Sequence, residues 1–166
     1  MNAVVIAIKM ETDAIKFYNE SAGKTKNPVG KKMLLSIVED EKRHLEMLTQ
    51  IFKGLDMTIK DAQPMKVIRT IFEEMKDKMM ERVQASTDEL EAFKIAAEME
   101  QQGIEFYKKA ALEAPAEKER KLFERLAAEE EEHYAVFSNS YSFMSDTGNW
   151  FMWEEHGIVD GGTSSA

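Results

Sequence analysis

Met10-Glu11-Thr12-Asp13-Ala14-Ile15-Lys16-Phe17-Tyr18 returns 89 positions later as Met99-Glu100-Gln101-Gln102-Gly103-Ile104-Glu105-Phe106-Tyr107. The same offset carries Glu41 onto Glu130 and His44 onto His133, with Lys32 on Lys121 and Ile37 on Leu126 between them. A repeat that keeps polar residues along with apolar ones marks one supersecondary unit used twice.

In both copies apolar residues recur at steps of three and four, the period of a helix with one buried face. The spacing predicts four long helices, from about Ala3 to Gly23, Pro28 to Phe52, Thr87 to Leu112 and Ala116 to Phe143. Gly23 and Gly54 read as stops, Pro28 and Pro115 as starts. The links between the members of each pair, Lys24 to Asn27 and Glu113 to Pro115, are short enough to make each pair an antiparallel hairpin. More than thirty residues separate the pairs, and within them Val67, Ile68, Ile71, Phe72, Met75 and Met79 share one stripe of a run from Met65 to Val83. That run is expected to be a helical crossover joining parallel ends of the bundle. The expected architecture is therefore all-α: a four-helix bundle over 1–145, made of hairpins 1–54 and 87–145 and a crossover 55–86. Residues 146–166, rich in Gly, aromatic and polar residues, are expected to form a capping segment and a loose tail.

Composition narrows the function classes. A chain of 166 residues with 43% hydrophobic residues can bury one substantial core, so a single domain is expected. A net charge of -9 disfavours nucleic acid and anionic lipid as partners. The most apolar run, Ala3 to Ile8, is too short for a membrane span or a signal peptide, and a cytoplasmic location is expected. Without cysteine, the chain's own residues offer no disulfide, thiol nucleophile or iron–sulfur ligand.

The buried stripes carry charge where core residues belong. The second helix turns Leu34, Ile37, Glu41, His44 and Leu48 inward, and the fourth Phe123, Leu126, Glu130, His133 and Phe137. The first adds Glu11 and Tyr18, and the third Glu100, Gly103 and Tyr107. Four ionised carboxylates cannot be buried together without compensating positive charge. Two divalent metals balance them, and two neutral imidazoles add ligands without adding charge. A Glu and a His at i and i+3 share one helical face, the arrangement of di-iron and di-manganese carboxylate bundles. Oxygen-rich ligation with one nitrogen per metal suits iron or manganese better than zinc. The candidate ligands are Glu11, Glu41, His44, Glu100, Glu130 and His133, for two iron ions, with manganese or mixed occupancy as the variant.

These residues resemble the rubrerythrin branch of the ferritin-like superfamily, over about residues 1 to 143. The resemblance implies Glu41 and Glu130 as bridging carboxylates, Glu11 and Glu100 as terminal ones, and His44 and His133 as terminal nitrogens. It implies Tyr18 and Tyr107 as donors to ligand carboxylates. Where rubrerythrins place a second glutamate on the third helix this chain has Gly103, which brings the set nearer to a bacterioferritin type. No Cys-x-x-Cys pair is present, so the chain resembles the shorter members without a rubredoxin domain. The implied activity is reduction of hydrogen peroxide or dioxygen by a homodimer, with electrons from a separate protein such as a rubredoxin. The competing expectations are a ferritin-like iron oxidation and storage protein, and a structural bundle whose charges fix helix register.

Other features take plainer readings. Glu129, Glu131 and Glu132 are expected on a solvated face, and Glu39, Asp40 and Glu98 fall beside or away from the stripe. The methionines, spaced as core residues are, fill space. Trp150, Trp153 and His156 lie outside the repeat and are assigned packing rather than chemistry.

Overall fold

The computed structural model describes residues 2–54 and 87–145. The expected crossover 55–86 and the segment 146–166, with Trp150, Trp153 and His156, lie outside the described residues. Those described form four helices and no strand: α1 Ala3–Lys24, α2 Pro28–Phe52, α3 Thr87–Glu113 and α4 Glu117–Met144.

The helix ends follow from local chemistry. Asn2 caps α1, its side chain accepting from the Val4 N–H at 2.7 Å. Asn27 caps α2 by accepting from the Val29 and Gly30 N–H groups, and Pro28 sits in the first turn, where no backbone donor is needed. Gly54 ends α2 in the left-handed region, at φ 71°. Gly23 does not stop α1, which runs on to Lys24. The stop comes from Thr25, whose N–H bonds Ala22 O and whose hydroxyl bonds Ser21 O at 2.6 Å. Pro115 stands two residues ahead of α4 in the connecting bend. Glu117 and Glu119 then place negative charge at the positive end of that helix.

The helices pack as two close hairpins, α1 with α2 and α3 with α4, and the two hairpins approach each other less closely. Two apolar clusters, each drawn from all four helices, hold them together. One contains Tyr18, Leu34, Ile37, Phe93 and Phe137. The other contains Val4, Leu48, Tyr107, Phe123 and Leu126. Each fully buried side chain of this size contributes about 1.5–3 kcal/mol. On every helix the acidic and histidine positions of the repeat fall between the two clusters in sequence, so the polar layer is closed at both ends by apolar side chains. One more clamp joins the hairpins: buried Glu89, near the start of α3, accepts hydrogen bonds from the backbone N–H groups of Lys26 and Asn27 in the α1–α2 turn.

Candidate metal centre

The six residues singled out by the repeat meet in the middle of the bundle. Glu11 comes from α1, Glu41 and His44 from α2, Glu100 from α3, and Glu130 and His133 from α4, all between 0% and 3% exposed. They form two groups, Glu11, Glu41, His44 and Glu130, and Glu41, Glu100, Glu130 and His133. Within each group the potential ligand atoms lie within 4.8 Å of one another, close enough to hold one metal ion. Glu41 and Glu130 belong to both groups, and the other residues are divided evenly between them.

The donor atoms facing this space have no hydrogen-bond partner of their own. Glu11 Oε2, Glu41 Oε1, Glu100 Oε2, His44 Nδ1 and His133 Nδ1 are all buried and unpartnered. His133 Nδ1 and Glu41 Oε1 are 2.8 Å apart but too poorly aligned for a hydrogen bond. Buried polar atoms are rarely left in this state, and five turned into one space fit a cation as their missing partner. The donor set, carboxylate oxygens with one imidazole nitrogen per group, fits two iron or manganese ions.

The far side of each imidazole is also specified. His133 Nε2 lies 3.1 Å from Asp40 Oδ2, and His44 Nε2 lies 3.3 Å from Glu129 Oε2. At His133 the Asp40 acceptor holds the proton on Nε2 and leaves the Nδ1 lone pair for the interior, the tautomer a metal ligand needs; at His44 the Glu129 carboxylate lies beside Nε2 without hydrogen-bond alignment and favours the same arrangement by its charge. Asp40 is in turn paired with Arg43, and Glu129 with Arg125. This corrects the expectation for Glu129, which is 2% exposed and not on a solvated face; Asp40, expected beside or away from the stripe, is 3% exposed beside it. Both precede a shared glutamate, and in a bundle each helix packs against two neighbours, so the position one step from the stripe faces the adjacent helix rather than water. The repeat carried the signal: the offset of 89 puts Asp40 on Glu129. Glu39, Glu98, Glu131 and Glu132 are exposed as expected.

The tyrosines reach across the hairpins. Tyr18 on α1 donates to Glu100 Oε1 on α3 at 2.6 Å, and Tyr107 on α3 donates to Glu11 Oε1 on α1. Burial, then the charges of the nearby glutamates, pushes both phenols well above their usual range, so they stay protonated and remain donors. The two imidazoles lie nearly parallel, with ring centroids 5.9 Å apart.

Electrostatics make the same demand for positive charge. Burial alone would lower His133, but the close carboxylates of Glu130 and Glu41 outweigh it and raise the imidazole to about 10. His44 is likewise raised against its burial, chiefly by Glu11. Burial and the charges of Glu41 and Glu130 push Glu11 well above the usual carboxylate range. Glu41 is held well below it despite its burial, by contacts with Glu11, His133 and His44. With no metal bound, protons supply the positive charge that this cluster requires.

A cleft of about 170 Å³ opens between α1 and α3 and is lined by Glu11, Glu41, Glu100, Glu130, both tyrosines and the repeat pairs Met10 and Met99, and Ala14 and Gly103. Neither histidine lines it. No helix among the described residues is long and apolar enough to cross a membrane.

A four-helix bundle that turns a doubled Glu and Glu-x-x-His set into its core has the architecture of the ferritin-like di-metal carboxylate proteins. The family model described as Rubrerythrin matches residues 2–141. The chain belongs to the rubrerythrin family. No curated protein and no solved structure matches it.

Proposed function

We propose that the protein is a di-iron oxidoreductase that reduces hydrogen peroxide or dioxygen with electrons from an external donor protein. Glu41 and Glu130, common to both ligand groups, would hold both irons, with Glu11 and His44 completing one site and Glu100 and His133 the other. The observation that carries the reading is the pair of nested ligand groups sharing Glu41 and Glu130, their donor atoms buried and otherwise unpartnered. Four carboxylates against two divalent irons leave the reduced centre electrically balanced. When bound, the iron pair supplies one electron per metal and Lewis acidity.

The chain's own residues supply the rest. Tyr18 and Tyr107 hold Glu100 and Glu11 in place through their hydroxyls. Asp40 holds the His133 imidazole through its Nε2, and the Glu129 carboxylate sets its charge beside His44 Nε2. The apolar clusters at either end exclude water, and the α1–α3 cleft admits a small oxidant to the carboxylate side. Hydrogen peroxide then takes up two electrons and two protons to leave as two waters, the electrons being restored by a partner such as a rubredoxin.

Mixing the iron-loaded, reduced protein with hydrogen peroxide in a stopped-flow instrument is expected to give rapid oxidation of about two irons per chain, followed by absorbance. A protein that binds no stoichiometric iron, or whose iron is oxidised no faster than free ferrous ion, overturns the reading. Size-exclusion chromatography separates it from iron storage, which needs a closed shell where the oxidoreductase is expected as a homodimer.

A further inference from the structure

Gly103 occupies an interior position of α3, where glycine weakens a helix relative to alanine. Packing does not require it. A Cβ built there would meet Glu130 Cδ and Cγ at 3.7 Å, an ordinary van der Waals distance, and the residue does not adopt a positive φ. The repeat makes the same point, because the equivalent position in α1 is Ala14, which lines the same cleft. A methyl group is thus accommodated in one copy and missing in the other, at a cost in helix stability that the fold does not explain.

What the missing methyl leaves open is space against a ligand carboxylate. The three nearest atoms to the position of that Cβ all belong to the Glu130 side chain. The Glu130 carboxylate lies between the two imidazoles, its oxygens 3.5 Å from His44 Nδ1 and from His133 Nδ1. The opening at Gly103 faces the cleft, and the histidine side is covered by Asp40 and Glu129.

We propose that Gly103 determines which ligands reach the metal pair: its missing side chain keeps a passage beside Glu130 that admits small molecules such as hydrogen peroxide, dioxygen or azide from the α1–α3 cleft. The inference rests on the di-iron reading above. Gly103 touches no metal and donates no proton; it acts by the room it leaves.

The test uses iron-loaded, oxidised protein, azide as the probe followed by absorbance titration, iron content per chain, and thermal melting of the metal-free protein. Gly103→Leu is expected to keep its iron and to bind azide about tenfold more weakly or worse. Gly103→Ala is expected to bind azide severalfold more weakly while its melting temperature rises by about 2–4 °C, a gain in stability opposed to a loss in binding. If Gly103→Leu fails to fold or to load, Gly103→Ala decides alone. Azide binding equal to the parent's in a loaded variant overturns the inference and leaves the di-iron reading standing. A parent that holds no stoichiometric iron overturns both.

Discussion

Asp40 does for His133 what the tyrosines do for the glutamates, holding by a hydrogen bond a side chain that presents its free atom to the centre, while Glu129 sets its charge beside His44 Nε2. Removing the charge while keeping the shape is therefore expected to loosen metal and not the fold. Asp40→Asn or Glu129→Gln should weaken metal affinity about 10–100-fold, measured by competition with a chelator, with the helical circular dichroism unchanged. Equal affinity in both variants would show that the imidazoles are oriented by packing alone. The six candidate ligands and both tyrosines were legible in the sequence because the repeat preserves them at positions where a core residue belongs. Asp40 and Glu129 were not, because a helical stripe describes burial against one neighbour and these two are buried by the helix on the other side. Their roles also depend on the distance from an Nε2 atom on another helix, 93 residues away in the case of Asp40 and His133.

Among the elements, the α1–α2 turn carries more structure than its length suggests. Asn27 caps α2, the Lys26 and Asn27 N–H groups bind Glu89, and Phe93 packs against Gly30, where a Cβ would come within 3.1 Å of its ring. Cap and clamp thus coincide at the junction of the two hairpins. Replacing Asn27 by Ala is expected to cost about 1 kcal/mol and to lower the melting temperature by about 2–4 °C, read by calorimetry or circular dichroism. No change would mean that water satisfies the exposed donors of α2. The helix bounds themselves were readable to within a residue or so, as Pro28 and Gly54 indicate. Gly23 misled because a glycine stops a helix only where the backbone turns left-handed, and Thr25 ended α1 without that turn. Glu89 gave no sequence signal, its partners being 62 and 63 residues earlier.

For the molecule as a whole, the centre couples stability to pH in opposite senses with and without metal. In the metal-stripped protein, His133 is raised from 6.5 to about 10 and His44 is also raised. A raised imidazole contributes stability that is complete below its unfolded value and is lost as pH climbs through the folded value. The raised carboxyl of Glu11 acts in the same direction. The stripped protein should therefore melt at progressively lower temperature between about pH 6.5 and pH 10. The loaded protein should gain stability over the lower part of that range, because metal must displace those protons in order to bind. Melting curves of both forms across this range are the check, and parallel curves would contradict the assignment of the histidines as ligands. The hairpins are close within themselves and less so with each other, while four contacts that support the centre run between them: Tyr18 to Glu100, Tyr107 to Glu11, Asp40 to His133 and Glu129 to His44. Neither half owns a complete set of ligands. In a chain without a single cysteine, a metal pair bound there would take the place of a covalent staple, a cross-link expected to close when the two halves meet and to be undone by acid or a chelator rather than by a reductant.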